Sequence, residues 1–203
     1  ARMARARRAA SDRRLGLAAH EHVAAFHRRR QEAARVHEHE GAARPLSARG
    51  VAVAMVDFRN ALTPSSAPEV APYPAGLNDC VAGVKWLAGQ AGALGIDASR
   101  IIIAGESGGG NLTLATGLRL KREGALHLIK GLYALCPYIA GMWPQPQYPS
   151  SIENNGLLLD LHNNNGAMAY GIEELERGDP LAWPAFATED DVRGLVPTVI
   201  SVN

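Results

Sequence analysis

The residues best suited to chemistry in this sequence are the five at positions 105–109, which read GESGG and centre on Ser107. A serine hydroxyl is a weak nucleophile, and it is activated where a tight turn presents it beside a base and an oxyanion site. Gly105 and Gly109 permit such a turn, because side chains at these positions would crowd each other. The spacing predicts Ser107 as a nucleophile and the Gly108 N–H as a donor to a developing oxyanion.

The segments on either side of this pentapeptide have the composition that such a turn requires. Residues 100–104 form a short apolar run that predicts a buried strand, and residues 108–123 predict a helix that ends near Gly124. A glycine-rich strand–helix turn can instead bind a phosphate. That alternative is disfavoured, because the sequence has neither the G-x-G-x-x-G spacing nor a lysine directly after the glycines.

Strand and helix candidates alternate from residue 51 onward. Apolar runs at residues 51–56, 131–136 and 197–202 predict three more strands, and residues 76–89 show an apolar face at helical spacing. Continuous apolar strands separated by helices indicate an α/β fold with a parallel sheet covered on both faces. Residues 138–195 contain no strong strand, and their composition predicts loops and short helices.

These motifs and their order resemble those of the hormone-sensitive-lipase-like esterases, an α/β-hydrolase family. The similar stretches are VDFRN at residues 56–60, YPAGLNDC at 73–80, IAGESGGGNL at 103–112, PLAWP at 180–184 and VPTVISV at 196–202. The resemblance covers roughly residues 46–203. It implies a partial α/β-hydrolase fold whose four predicted strands are the fourth to seventh of the family. It also implies a serine carboxylic-ester hydrolase that acts on short or medium acyl esters through an acyl-enzyme, with no metal or organic cofactor.

The catalytic partners that this resemblance implies are not found in the expected places. In α/β hydrolases an Asp or Glu and then a His follow the serine, and we expect the family's counterparts beyond the last residue. Two histidines, His127 and His162, follow Ser107, and we interpret both as surface residues. We interpret Asp190 and Asp191 as helix-capping residues. Two alternatives therefore stay open: a non-catalytic small-molecule-binding protein on a hydrolase scaffold, and an inactive fragment.

The family's second oxyanion contribution comes from a His-Gly-Gly-Gly loop, and at about the matching distance this chain reads FHRRRQ at residues 26–31. Glycines let two N–H groups approach an oxyanion, and three arginines do not offer the same access. One added nucleotide after the histidine codon would turn GGC repeats into CGG repeats. We therefore hypothesise that residues 1 to about 45 are partly a shifted-frame translation; a nucleotide sequence in which no frame restores the glycine loop would refute this.

The resembled fold also places a strand, its third, between the strands predicted at residues 51–56 and 100–104. Residues 22–26, which read HVAAF, are the one candidate for this place. Two facing strand edges with unpaired backbone groups would be costly. The sequence predicts either that residues 22–26 pair between those strands, or that the first 45 residues form a helical arm beside a defective sheet.

The first part of the chain differs in composition from the rest. Residues 1–50 hold twelve arginines against five acidic residues, although the whole chain has a net charge of +1. We divide the chain into a basic Arg/Ala/His-rich arm at residues 1–45 and a partial hydrolase domain at residues 46–203. The arm lacks interleaved aromatic residues, so no nucleic-acid partner is predicted. The HEHE sequence at residues 37–40 has ligands two positions apart, which share no helical face, and no metal site is predicted.

The remaining expectations concern the protein's environment. No apolar run is long enough to span a bilayer, and no charged-then-apolar leader opens the sequence, which predicts a cytoplasmic protein. Cys80 and Cys136 lie in a helix and a strand candidate without metal-binding spacing, so we expect buried free thiols. The expected partner is a small-molecule ester substrate.

Overall fold

The computed structural model describes residues 23–28, 43–65, 68–157 and 164–202, and all structural statements below concern these residues. One sheet contains the strands β1 (Val23–Arg28), β2 (Val51–Val56), β3 (Ile102–Glu106), β4 (Gly131–Leu135) and β5 (Thr198–Ser201). The described α-helices are α1 (Ala43–Ser47), α2 (Ala75–Gln90), α3 (Gly108–Arg122), α4 (Pro149–Glu153), α5 (Asn165–Arg177) and α6 (Glu189–Val192). The four strands and two helices predicted from residue 51 onward are confirmed, with ends that shift by at most two residues.

The strand order across the sheet is β2-β1-β3-β4-β5. β3, β4 and β5 are parallel neighbours, which confirms the partial parallel sheet. β1 lies between β2 and β3, so the prediction of pairing in this place is confirmed for residues 23–26, while His22 lies outside the described residues. However, β1 is antiparallel to both neighbours, whereas the resemblance implies a strand that ends beside the nucleophile turn.

The direction of β1 determines where His27 lies. Val23 pairs with Gly105, next to the serine turn, while His27 pairs with Ala52 near the start of β2. At about 3.3 Å per residue, His27 lies roughly 13 Å along β1 from Val23, at the amino-terminal edge of the parallel strands. The expectation that His27 stands where the family's oxyanion loop begins is therefore wrong.

The helices α2 and α3 pack against the same face of the sheet. A methyl group added at Gly83 of α2 would lie 3.0 Å from the Val56 side chain, and Gly117 of α3 lies directly against Leu132 of β4. The strand register puts Val56 and Leu132 on one face. The main core lies between this face and the two helices, and its fully buried side chains include Leu77, Ile101, Ile103, Leu120 and Leu132.

The opposite face of the sheet carries a row of apolar residues in register: Met55, Ala104, Tyr133 and Val199. Met55 is 37% exposed, Tyr133 39% and Val199 55%. Parallel sheets are normally covered on both faces. Along this row, the described part of the chain does not cover the second face of the sheet, although a sheet covered on both faces was predicted.

Candidate active site

Ser107 lies at the turn between β3 and α3, at the carboxyl-terminal edge of the parallel strands. Its backbone has a φ of 55° and a ψ of −118°. Residues with a side chain rarely adopt this conformation, which costs about 1–3 kcal/mol and persists where the surroundings enforce it. The predicted strand–turn–helix context of Ser107 is thus present, with the positive φ that a sharp strand-to-helix turn requires.

Three backbone hydrogen bonds hold Ser107 in this conformation. Its N–H donates to the C=O of Leu135, at the end of β4, over 3.0 Å. Its C=O accepts from the N–H of Asn111 at 3.0 Å and from the N–H of Tyr138 at 2.9 Å. The end of β4, the first turn of α3 and the loop after β4 therefore converge on one residue.

A second residue with unusual backbone conformation lies directly after β4. Cys136 has a φ of 41°, and its N–H donates to the C=O of Ser201 at 2.7 Å. The chain then turns through Pro137, which packs so closely on α3 that a methyl group at Gly110 would lie 2.9 Å from the Pro137 Cβ. This turn brings the Tyr138 N–H to Ser107.

A cavity of about 100 Å³ adjoins the start of α3. The rings of Tyr138 and Tyr170 both meet the ring of Trp183 edge to face, at centroid distances of 5.9 and 5.3 Å. Such an apolar, aromatic lining with few polar groups suits an uncharged organic ligand. The lining residues are Phe58, Arg59, Asn60, Ala61, Leu62, Gly76, Gly108, Asn111, Leu112, Tyr138, Gly166, Tyr170 and Trp183.

The loop after β2, which forms one wall of this cavity, is fixed by an ion pair. The Arg59 guanidinium donates to both carboxylate oxygens of Asp79 at 3.0 and 2.8 Å, and the Arg59 N–H donates to the same carboxylate at 2.9 Å. The hydrogen bond from the Arg59 side chain holds the pKa of Asp79 below its ordinary value. Because Asp79 belongs to α2, the pair ties the loop to that helix.

A second wall includes Tyr170, next to an interruption in α5 at Gly171. The C=O of Tyr170 accepts from the Tyr73 N–H at 2.7 Å, and the C=O of Gly171 accepts from Trp183 Nε1 at 2.9 Å. The Tyr73 hydroxyl donates to Asp179 at 3.1 Å, and burial, followed by the charge of Asp179, raises the pKa of Tyr73 to about 12. Two carbonyls at the interruption of α5 therefore accept hydrogen bonds from Tyr73 and Trp183, which hold the aromatic side chains of this wall in place.

The other residues singled out in the sequence lie away from Ser107 or outside the described residues. His127 is exposed in a short 3-10 turn (Leu126–Leu128) before β4, at the opposite edge of the sheet, which agrees with its interpretation as a surface residue. His162 lies outside the described residues. No group of three or more metal-ligating side chains is found in the part of the chain that the structure describes.

The capping interpretation is confirmed for Asp191. Its carboxylate accepts from the Thr188 N–H at 3.0 Å, and the Thr188 hydroxyl accepts from the Asp191 N–H at 3.3 Å. The bond from the Thr188 N–H, a bond from the Thr188 hydroxyl to the same carboxylate at 2.8 Å and a further one from Arg122 lower the pKa of Asp191 to about 2. Asp190 is exposed in the first turn of the same helix.

Both cysteines are free thiols, as expected. Cys80 is buried as expected, and burial raises its pKa, whereas Cys136 is half-buried, so the expectation of a buried thiol is wrong there. None of the described helices has the length and apolarity needed to cross a membrane.

A sequence model of the family described as alpha/beta hydrolase fold matches residues 31–203. The chain belongs to this family. The match begins fifteen residues before Leu46, so the family resemblance extends further towards the N-terminus than residues 46–203.

Solved structures place the chain close to known esterases. It is similar to esterase Est22, with 73% identity and a TM-score of 0.72, over 78% of this chain and 46% of Est22. It is also similar to brefeldin A esterase, a bacterial homologue of human hormone-sensitive lipase, with 42% identity and a TM-score of 0.66, over 75% of this chain and 43% of that one. The resemblance to hormone-sensitive-lipase-like esterases is therefore confirmed.

Among curated proteins, the chain is 30% identical over 167 residues to carboxylesterase NlhH of Mycobacterium tuberculosis, which is 81% of this chain and 49% of that relative. A second relative is an esterase of Acinetobacter venetianus, at 34% identity over 54% of this chain and 35% of the relative. The chain thus spans about half or less of the length of the curated relatives it matches.

Two parts of the site were not anticipated from the sequence. Asn111 links α3 to two neighbouring segments through its side chain, and Tyr138 contributes both its backbone and its ring to the site. An asparagine inside a helix that is apolar on this side was the available signal, since a buried amide must find hydrogen-bond partners.

Proposed function

We propose that this chain carries the nucleophile of a serine carboxylic-ester hydrolase. The observation that carries the proposal is the backbone of Ser107, which has a φ of 55° between a parallel strand and the helix that follows it. In this role the Ser107 hydroxyl oxygen bonds to the acyl carbon, its proton passes to a base, and the alcohol leaves with a proton. Water then hydrolyses the acyl-enzyme. The similarity to esterases and carboxylesterases supports this reaction class.

The Gly108 N–H is the proposed oxyanion donor. Gly108 is the first residue of α3, and the first N–H groups of a helix have no partner within the helix. Such groups, aided by the helix dipole, stabilise negative charge. The negative oxygen that forms when Ser107 attacks the ester would therefore be stabilised by this N–H.

The substrate class that the cavity supports is a small, uncharged ester with a short or medium acyl chain. The aromatic rings of Tyr138, Tyr170 and Trp183 beside Gly108 favour apolar or aromatic groups of the ester. Est22, to which this chain is 75% identical over 75% of its length, has been solved with p-nitrophenol. We therefore propose aryl esters such as p-nitrophenyl acetate as suitable test substrates.

The proposal does not include a base from the described residues. His127 lies at the far edge of the sheet, and no other histidine side chain belongs to the described part of the chain. When members of a catalytic triad are removed, binding and the oxyanion hole still give residual catalysis. We therefore expect this 203-residue chain to hydrolyse activated esters slowly.

The distance of His127 from Ser107 also favours a second candidate, a non-catalytic binding protein on the same scaffold. Steady hydrolysis of p-nitrophenyl acetate and butyrate distinguishes the two. With imidazole added as an external base, we expect p-nitrophenol release by the wild type above the rate of Ser107→Ala, and no change in Ser150→Ala, an exposed serine of α4. Equal rates in Ser107→Ala and wild type would contradict the proposal. Tight p-nitrophenol binding without hydrolysis would support the second candidate.

A further inference from the structure

We propose that Asn111 is a positioning residue for the oxyanion donor. Its side chain holds the Tyr138 segment, and that segment fixes the peptide group between Ser107 and Gly108. The inference rests on the proposed role of the Gly108 N–H; Asn111 also lines the cavity, but its proposed effect on the oxyanion donor passes through Tyr138.

One peptide group links the Ser107 carbonyl to the proposed oxyanion donor. The C=O of Ser107 and the N–H of Gly108 belong to the same planar trans peptide, so they point in opposite directions. Hydrogen bonds that fix the Ser107 C=O therefore also fix the direction of the Gly108 N–H. The Ser107 C=O accepts two such bonds, from the N–H of Asn111 at 3.0 Å and from the N–H of Tyr138 at 2.9 Å.

The Asn111 side chain controls the second of these bonds. It is 3% exposed, and its Nδ2 donates to the C=O of Tyr138 at 2.9 Å and to the C=O of Ala182 at 3.0 Å. Both protons of the amide are used. Asn111, Tyr138 and the Ser107 carbonyl are therefore joined in a ring of three hydrogen bonds. The N–H groups of Asn111 and Tyr138 both donate to the Ser107 C=O, and the Asn111 side chain donates to the Tyr138 C=O.

The orientation of this amide follows from its partners. A flipped amide would place its oxygen against the carbonyl oxygens of Tyr138 and Ala182, which cannot donate. The Asn111 Oδ1 itself is buried without a hydrogen-bond partner among the described residues. An unpartnered buried oxygen is unfavourable, so the two bonds that the amide donates must offset its cost. The two donated bonds are the property that distinguishes asparagine from an apolar residue of similar size here.

The first test observes the peptide group directly. Ser107 is the one serine in the sequence that is followed by glycine. Protein made by cell-free synthesis with carbonyl-¹³C serine and ¹⁵N glycine therefore gives a single signal in a spectrum that correlates an amide with the preceding carbonyl. We expect this signal to move in Asn111→Leu and in Asn111→Asp, because both variants lose the bonds to Tyr138 and Ala182.

Asn164→Asp is the matched control. Asn164 is also buried, at 2% exposure, and its amide bonds the N–H and C=O of Trp143 at 2.8 and 2.7 Å. The substitution of Asn164 removes comparable hydrogen bonds, and these bonds join neither Ser107 nor Tyr138. We expect Asn164→Asp to leave the labelled signal in place while it lowers the melting temperature.

The second test measures the reaction of Ser107 with a p-nitrophenyl alkylphosphonate, resolved into the binding constant KI and the inactivation rate kinact. Loss of one oxyanion donor costs about 10²–10³-fold in rate, so a displaced donor is expected to lower kinact by at least about tenfold. Asn164→Asp is expected to keep kinact within about twofold of the wild type. A purely structural role would instead change both asparagine variants together, in proportion to their loss of stability.

The outcomes are distinct. An unmoved signal in a folded Asn111→Leu protein would overturn the inference, as would an equal loss of kinact in Asn164→Asp. If the wild type is not labelled at Ser107, the proposed function fails, while the signal of the Ser107–Gly108 peptide still decides whether Asn111 holds it. If neither Asn111 variant folds, the test is hydrogen exchange of the Tyr138 N–H with solvent in wild-type protein labelled with ¹⁵N-tyrosine. Slow exchange supports the proposed ring of hydrogen bonds, whereas exchange as fast as that of an exposed amide overturns the inference.

Discussion

At the residue scale, the site depends on backbone conformations that ordinary residues avoid. Ser107 and Cys136 are the non-glycine residues with positive φ in the described part of the chain, and they follow neighbouring parallel strands. The Ser107 N–H donates to Leu135, the residue before Cys136. The two conformations are therefore coupled, and both serve to present Ser107 at the edge of the sheet.

The strain at Ser107 makes a stability prediction. Glycine at position 107 loses more conformational entropy on folding than alanine but adopts a φ of 55° without a clash. We expect Ser107→Gly to have a free energy of unfolding about 1 kcal/mol higher than Ser107→Ala, measured by urea denaturation. The control is Ala82→Gly, at an exposed position of α2, which should lower the free energy of unfolding by about 1 kcal/mol. A Ser107→Ala protein more stable than Ser107→Gly would show that the backbone is not strained.

At the element scale, the sequence was most informative where patterns were long or chemically specific. The apolar runs of β2 to β5 and the glycine-flanked Ser107 predicted the strands, the turn and α3 correctly. Hydrophobic periodicity carries no strand direction, so residues 22–26 could be assigned a place in the sheet but not an orientation. The turn at Cys136 was not predicted either, because a positive φ at a cysteine has no signal in composition.

The contact between α3 and the turn after β4 gives the second prediction. In Gly110→Ala the new methyl group would meet the Pro137 ring at 2.9 Å and its Cα at 3.0 Å, and neither can easily move. We expect a loss of about 1–3 kcal/mol in the free energy of unfolding. Gly89→Ala is the control, because Gly89 lies in α2 with nothing within 4 Å of the added methyl group. There alanine should stabilise the protein by up to about 1 kcal/mol.

The start of α6 makes the third prediction, which concerns pH. The pKa of Asp191 is lowered to about 2 from an ordinary value of 3.8 by its bonds from Thr188 and then Arg122. A lowered carboxylate pKa contributes stability that is present above about pH 4 and is lost as the pH falls towards 2. We expect the free energy of unfolding to fall across this window, and to fall less steeply in Asp191→Asn. An identical slope in the variant, in urea titrations at matched pH values, would show that Asp191 does not contribute.

At the scale of the whole molecule, one face of the sheet packs against the core and the helices α2 and α3, while the opposite face is less covered. Met55, Tyr133 and Val199 form an exposed apolar row on that second side. The family could be predicted because the motif order is specific, and the comparisons confirm it. The arrangement of the second side could not be predicted, because a continuous apolar strand indicates burial on both faces and does not show which elements provide it.

The exposed row makes the fourth prediction. Apolar patches on a sheet promote self-association, and a polar β-branched residue reduces this without disturbing a strand. We expect Val199→Thr, at a position 55% exposed, to bind less of the dye ANS and to form fewer oligomers in light scattering, with an unchanged melting temperature. Val84→Thr, at a buried position of α2, should instead destabilise the protein. Unchanged dye binding in Val199→Thr would indicate that this row is covered in solution.

The most direct test of the account is to locate the residue that a p-nitrophenyl alkylphosphonate modifies. The full chain is incubated with the reagent for several hours, digested and mapped by mass spectrometry, with Ser107→Ala treated in parallel. We expect one adduct, on the peptide that contains Ser107, and none in Ser107→Ala. A folded wild-type protein that carries no adduct, or that carries the same adduct on another residue in both proteins, would contradict the assignment of Ser107 as the nucleophile.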